Sequence, residues 1–244
     1  MIRLIFVALF VVLFLIIGIP VLGIEWLIGK VSKKTMDYSS LRLVQWAFKM
    51  IIKLAGIELT VIGEENISEG PVLYIGNHRS FFDIVITYAR CKNLTGYIAK
   101  KEMLSIPLLR TWMKRLYCLF LDRDNPKEAL KTILQAIDYV KHGISICIFP
   151  EGTRNKGEEL SLLPFHNGSF KIAEKTGCPI IPMSLNNTCD IFEGHFPFIK
   201  KTHVILEYGK PIYPKELDKD EKKRIGEYCS NIISETIHKN QALV

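Results

Sequence analysis

From Leu4 to Ile24 the chain runs 21 residues without a charged or polar side chain. As a helix this stretch would be about 31 Å long, matching the hydrocarbon core of a bilayer. Fourteen of the sixteen residues from Leu4 to Ile19 are Leu, Ile, Phe or Val, which favours membrane insertion by about 4–8 kcal/mol. A cleaved signal has a shorter apolar region, about 7–15 residues. Only Val21-Leu22-Gly23 faintly resembles a cleavage site, so residues 1–35 read as a retained, membrane-embedded segment. Pro20 interrupts the run and is a candidate kink.

The pattern then changes. From Ser40 to Gly56, Arg42, Gln45, Lys49 and Lys53 share one helical stripe, and Leu41, Val44, Trp46, Phe48 and Ile51 lie among the residues covering the rest. Such a helix suits either a membrane interface or a protein core. Its position directly after a membrane segment favours the interface for residues 36–56. Lys30, Lys33 and Lys34 follow the first segment, whereas Arg3 and the terminal amine alone precede it. If that segment spans, the remaining chain lies on the cytoplasmic face. Spanning and lying in one leaflet both remain open.

Beyond Gly56, short apolar runs alternate with helical patterns. Val72–Ile75, Gly96–Ala99, Cys118–Leu121, Ile144–Phe149, Ile180–Leu185 and Val204–Tyr208 read as strands. Many lack period-two alternation, as expected where helices cover both faces of a sheet. Pro126–His142 reads as a helix, with Asn125 at its N-cap, Pro126 in the first turn and Gly143 after its end. Lys219–Lys239 reads as a charged helix lying on the surface. The expected fold is α/β: one domain, residues 57–244, with a mostly parallel or mixed sheet flanked by helices, preceded by N-terminal membrane helices.

Composition narrows the partners. The formal net charge of +7 and pI near 9.0 favour something acidic, whether lipid headgroups, a phosphorylated substrate or nucleic acid. No basic stretch interleaves with aromatics, so nucleic acid is not expected. The six cysteines have no C-x-x-C spacing and are expected to be reduced and buried, with neither a zinc site nor a redox pair.

Two strings carry the candidate chemistry: Asn77-His78-Arg79-Ser80-Phe81-Phe82-Asp83 and Phe149-Pro150-Glu151-Gly152-Thr153-Arg154. Each follows an apolar run, and in α/β folds ligands sit beyond the carboxyl ends of strands. His78 with Asp83 supplies a base and its orienter. Ser80 and Asp83 also fit a capping box, a reading that needs no catalysis. In one continuous helix the two residues would stand about 140° apart, so they meet only if the chain turns between them. Gly152 allows close backbone approach, and Arg154 can grip a phosphate with two parallel hydrogen bonds. Arg123, Lys100 and Lys101 end other predicted strands. Such cations at successive strand ends either converge on one phosphate or are scattered solubility charges.

The ordered blocks resemble the 1-acylglycerol-3-phosphate acyltransferase family, within the glycerolipid acyltransferases that share an H-x4-D motif. The matching residues are Asn77-His78-x4-Asp83, Ala99-Lys100-Lys101-Glu102, Leu119-Phe120-Leu121-Asp122-Arg123, Phe149–Arg154 and Ile180-Ile181-Pro182. The resemblance implies transfer of an acyl group from acyl-CoA or acyl carrier protein to the free hydroxyl of lysophosphatidate at a membrane, giving phosphatidate for phospholipid biosynthesis. His78 would be the general base and Asp83 its orienter, supported by Asn77. Arg123, Arg154 and Lys100 would hold the acceptor phosphate, in a loop shaped by Glu151, Gly152 and Thr153. No metal or other cofactor is implied. Two departures bear on the acceptor: Tyr117 stands where many members carry Gly, and His166 stands where a Lys is usual.

Three other readings compete. The same chemistry can act on another lysophospholipid or a lyso-aminolipid. His78, Asp83 and Glu151 can be read as ligands of a metal-dependent phosphohydrolase, which a chelator would inactivate. A non-catalytic membrane binder would tolerate loss of His78. The sequence does not choose the donor carrier, the acyl length or the oligomeric state.

Overall fold

The apolar run forms one continuous helix, α1 (Ile2–Val31), which passes through Pro20 without ending. Ser32 is extended and its Oγ accepts the Thr35 N–H at 3.2 Å, starting α2 (Lys33–Ala55), which stops at Gly56 with φ 76°. The computed structural model describes residues 1–244. The two helices form an antiparallel hairpin, with Arg3 against Gly56 and Met36 against Gly29. Ile5, Phe6, Leu9, Ile16 and Ile17 of α1 are all more than half exposed. Glu25 is buried against α2, where the Ser39 hydroxyl donates to it at 2.6 Å.

The polar stripe expected on α2 is broken at Gln45. Its Nε2 donates to the Tyr88 and Cys91 carbonyls at 3.3 and 2.7 Å, so it faces the protein. Leu41, Val44, Ala47 and Ile51 join the core, while Arg42, Lys49 and Lys53 stay exposed. One face of α2 is therefore domain core, because the strength of an apolar face does not say what covers it.

The sheet has seven strands: β1 (Ile57–Ile62), β2 (Leu73–Gly76), β3 (Thr95–Lys100), β4 (Leu119–Leu121), β5 (Ser145–Ile148), β6 (Ile180–Asn186) and β7 (Thr202–Tyr208). Their order is β1-β7-β6-β2-β5-β3-β4, parallel except where β7 runs antiparallel to β6. All six strands read from the sequence are present. The central strands β2, β5 and β6 are buried throughout, which removes alternation. β1 escapes that reading: it is an edge strand whose Glu58 and Thr60 face outward, paired in register with β7.

Helices cover both faces. α1, α2, α3 (Phe82–Ala89) and α4 (Pro107–Arg115) share one apolar core, which includes Val44, Ile86 and Trp112. α5 (Pro126–Lys141), α6 (Lys171–Thr176) and α8 (Ile225–Asn240) share the other, which includes Ile137, Ile172 and Ile233. The Asn125 side chain caps α5 as expected, accepting the Lys127 and Glu128 N–H groups. The C-terminal region departs from expectation. A capping box at Asp218 starts a short α7 (Lys219–Lys223), the chain breaks at Arg224, and α8 packs on β6. Ile225, Cys229, Ile233 and Ile237 are buried there. Asn186 reaches the Ile237 carbonyl at 2.9 Å. The charged pattern belongs mainly to α7, so α8 is a core helix and not a surface one. Cys91, Cys147, Cys178 and Cys229 are buried, and all six cysteines are free thiols.

Candidate active site

Asn77 and His78 follow directly where β2 ends. The Asn77 side chain donates to the Leu185 carbonyl and accepts the Leu185 N–H, both at 2.9 Å, tying the end of β2 to β6. The chain then turns through Arg79, Ser80 and Phe81 before α3 begins. That turn brings Asp83 back beneath His78: Oδ2 lies 2.7 Å from Nδ1. The same oxygen accepts the N–H groups of Arg79 and Ser80 at 2.7 and 2.8 Å. Capping and orienting are thus one carboxylate's work. Asp83 is wholly buried, and the His78 side chain is 15% exposed.

The His78 ring also stacks on Phe149, with centroids 4.5 Å apart and planes at 19°. Held between Asp83 and Phe149, the imidazole has little freedom to rotate. With the proton on Nδ1, facing the carboxylate, Nε2 presents a lone pair and can act as a base.

Glu151 is buried and accepts the His78 N–H at 2.7 Å through one oxygen and the Leu163 N–H at 2.9 Å through the other. Burial pushes its carboxyl up from the usual value, partly offset by those two donors. It braces the backbone of His78. With both Glu151 oxygens engaged, and three donors on Asp83 Oδ2, the ligand set read for a metal-dependent hydrolase is already turned inward. Gly152 has φ 72°, and a Cβ there would lie 3.2 Å from the His166 ring and 3.5 Å from Arg123 Cζ. The glycine is what lets these two side chains approach the loop.

The cations only partly converge. Arg123 has no carboxylate partner, and burial pulls its guanidinium down from the usual value. Arg154 stacks 3.7 Å above the Phe81 ring and donates to Glu193 at 2.8 Å. Lys101 is drawn to Asp122 and Asp124. Lys100 and Thr153 are exposed, and neither makes a side-chain hydrogen bond or ion pair. Convergence at successive strand ends therefore holds for Arg123 beside Gly152 and His166, and not for both lysines.

Several site residues were given no role from the sequence. Glu193 accepts the Ser80 hydroxyl at 2.6 Å, the Phe81 N–H at 2.8 Å and Arg154, joining both motifs from the β6–β7 connection. Arg79 is buried and holds the next loop through the Gly157 and Glu158 carbonyls, both at 2.8 Å, and Glu159 at 3.0 Å. The Asn155 N–H donates to the His78 carbonyl at 2.7 Å. Glu193 lies outside every motif and could not have been found by spacing. Tyr117, where many of the resembled sequences carry Gly, has φ 60°. Its hydroxyl bonds Asp37 of α2 and its ring packs edge-on against Tyr139, contacts a glycine would lack.

The acyltransferase family model matches residues 58–186, more than half of the chain, and spans both motifs. The chain belongs to the acyltransferase family. Among similar family members, the 1-acyl-sn-glycerol-3-phosphate acyltransferase of Saccharomyces cerevisiae is 32% identical over 196 residues, 78% of this chain and 64% of that protein. The Escherichia coli protein of the same name is 32% identical over 174 residues, 70% of this chain and 68% of its own. The Borreliella burgdorferi one is 32% identical over 184 residues, 75% and 73% of the two chains. This acyltransferase shares its fold with the crystal structure of the 1-acyl-sn-glycerophosphate acyltransferase PlsC of Thermotoga maritima. The TM-score is 0.83 at 23% identity, over 98% of this chain and 95% of that one.

Proposed function

We propose that the protein moves a fatty acyl group from an acyl thioester, carried by coenzyme A or acyl carrier protein, to the free hydroxyl of lysophosphatidate, giving phosphatidate. The observation that carries this reading is the His78–Asp83 pair, locked at 2.7 Å with the imidazole stacked on Phe149. His78 Nε2 takes the acceptor's hydroxyl proton as the oxygen attacks the thioester carbonyl. The C–S bond breaks, and the imidazolium returns the proton to the leaving thiolate. A thioester is already activated, so the chain's own task is to supply the base and hold both substrates. Arg123 beside Gly152 is the available cation for the acceptor phosphate, with His166 next to it. Arg154 positions Phe81 and Ser80 through Glu193. The names of the family members support the lysophosphatidate acceptor.

The exposed apolar surface of α1 supports work at a membrane, where both acceptor and product reside. α1 is long and apolar enough to cross a bilayer. If α1 spans, the Lys30, Lys33 and Lys34 cluster after it favours a cytoplasmic catalytic domain.

The test is acyl transfer by purified protein in lipid or detergent, with phosphatidate read by mass. His78→Ala is expected to lower kcat by about 10²–10⁴-fold, with no effect of a chelator on wild type. Undiminished transfer by His78→Ala would remove the base; chelator sensitivity would restore the metal reading. Failure with lysophosphatidate but success with another lysolipid would move the acceptor.

A further inference from the structure

A groove of about 690 Å³ runs between α5 and the segment around α6, away from the α1–α2 hairpin. Its residues include Ile137 and Ile148, which belong to the core on the opposite sheet face from α1 and α2. We infer that this groove seats the phosphopantetheine arm of the acyl donor, the part that coenzyme A and acyl carrier protein have in common. The inference rests on the acyl-transfer reading and adds where the donor lies.

Charge is the first reason. Beyond Arg123 and His166, which belong to the acceptor-phosphate end, the groove is lined by Lys141, Lys171 and Lys175, with no Asp or Glu among its lining residues. Lys171 shares Glu174, at 2.7 Å, outside the groove. A set so one-sided selects an anion. The floor is the second reason. Leu130, Ile133, Leu134 and Ile137 recur at helical spacing along α5, and Leu130 and Leu134 are 59% and 55% exposed. Ile133 and Ile137 anchor the stripe in the core, while nothing in the chain covers Leu130 and Leu134, and neighbouring exposed apolar residues mark a binding surface. A bare acyl chain fits the floor but leaves the cations unmatched. A free phosphate fits the cations but not the floor. An elongated arm with phosphate at one end satisfies both.

Position is the third reason. Phe149 lines the groove and stacks its ring on His78. That ring packs in the core on the α1–α2 side of the sheet, and the groove itself reaches the Pro150–Gly152 loop, whose Glu151 accepts the His78 N–H at 2.7 Å. From Ala129 to Lys141, α5 runs about 18 Å, which separates a thioester end near Gly152 from the cation Lys141 at the far end. The groove also opens on the face away from the lipid-seeking helix. That side suits a donor arriving from water.

The experiment uses the full chain in detergent and two variants outside the proposed catalytic and acceptor-phosphate residues: Leu134→Glu and the pair Lys171→Ala with Lys175→Ala. Leu134 is exposed, so Leu134→Glu preserves folding, checked by melting temperature. Expected is about a tenfold rise in donor KM, with acceptor KM and saturating kcat unchanged. Assays with acyl-CoA and with the same acyl group on carrier protein separate the two sources. Equal rises support the shared arm; a rise with one carrier alone overturns it and assigns the contact to what that carrier does not share. An unchanged donor KM, or a rise confined to acceptor KM, overturns the assignment. Binding of unacylated coenzyme A and of phosphopantetheine to His78→Ala protein is read in parallel. Loss of binding on adding Leu134→Glu supports the groove even if acyl transfer itself fails. Transfer with unaffected binding and unaffected donor KM removes the groove and leaves the acyl-transfer reading intact.

Discussion

Asp83 shows how one side chain can serve the fold and the chemistry together. Its Oδ2 takes two backbone N–H groups and the imidazole Nδ1. Asp83→Asn keeps a carbonyl oxygen for the backbone donors, but its amide face can turn Nδ1 into an acceptor and put the proton on Nε2. The expected result is a fall in kcat of about 10²-fold or more with acceptor KM nearly unchanged, read by steady-state kinetics. Circular dichroism should remain that of wild type. Glu151 behaves differently because burial raises its carboxyl above the ordinary 4.5. A raised folded value means its contribution to stability is fully present below pH 4.5 and is lost as pH rises through the folded value. Glu151→Gln removes that titration. The melting-temperature advantage of wild type over Glu151→Gln should therefore be largest below pH 4.5 and shrink towards pH 8. An advantage that grows with pH would contradict the assigned direction.

Among the elements, α8 and β6 show where pattern and packing part company. Lys219–Lys239 carries enough charge to look solvent-facing, yet Ile225, Cys229, Ile233 and Ile237 form a stripe that packs under β6. Ile233 is fully buried, so Ile233→Ala should destabilise the domain by about 2–5 kcal/mol in chemical denaturation. A loss below about 0.5 kcal/mol would instead make α8 the surface helix that its charge suggests. Asn77 acts between elements: its two hydrogen bonds to Leu185 join β2 to β6 just before His78. Such a residue matters for catalysis because it sets where a strand ends.

For the molecule as a unit, the catalytic domain and the α1–α2 hairpin are one packed body. Trp112 of α4 lies against Gly18 of α1, and Tyr117 of the α4–β4 turn bonds Asp37 of α2. Deleting residues 2–31 should remove flotation with anionic lipid vesicles, since it removes the exposed apolar surface. It should also uncover core residues such as Trp112, lowering the melting temperature of what remains. Retained flotation would assign membrane binding to α2 and the exposed lysines instead.

Much of this was legible in the residues because it is local. The α1 run, the Asn125 cap, six of seven strands and the five-residue span from His78 to Asp83 depend on neighbours in sequence, whose spacing follows from helix and strand geometry. The ordered motif blocks pointed to the candidate site in the same way. What the tertiary structure decided is non-local. β1 pairs with β7 across some 145 positions, from Ile57 to Thr202. Gln45 turns inward because Tyr88 and Cys91 offer carbonyls. Arg154 meets Glu193 from 39 residues away, and Arg123 meets His166 only across Gly152. An amphipathic pattern tells which face is to be buried, but the partner that buries it, and the cation that ends beside the Gly152 loop, depend on how the elements pack.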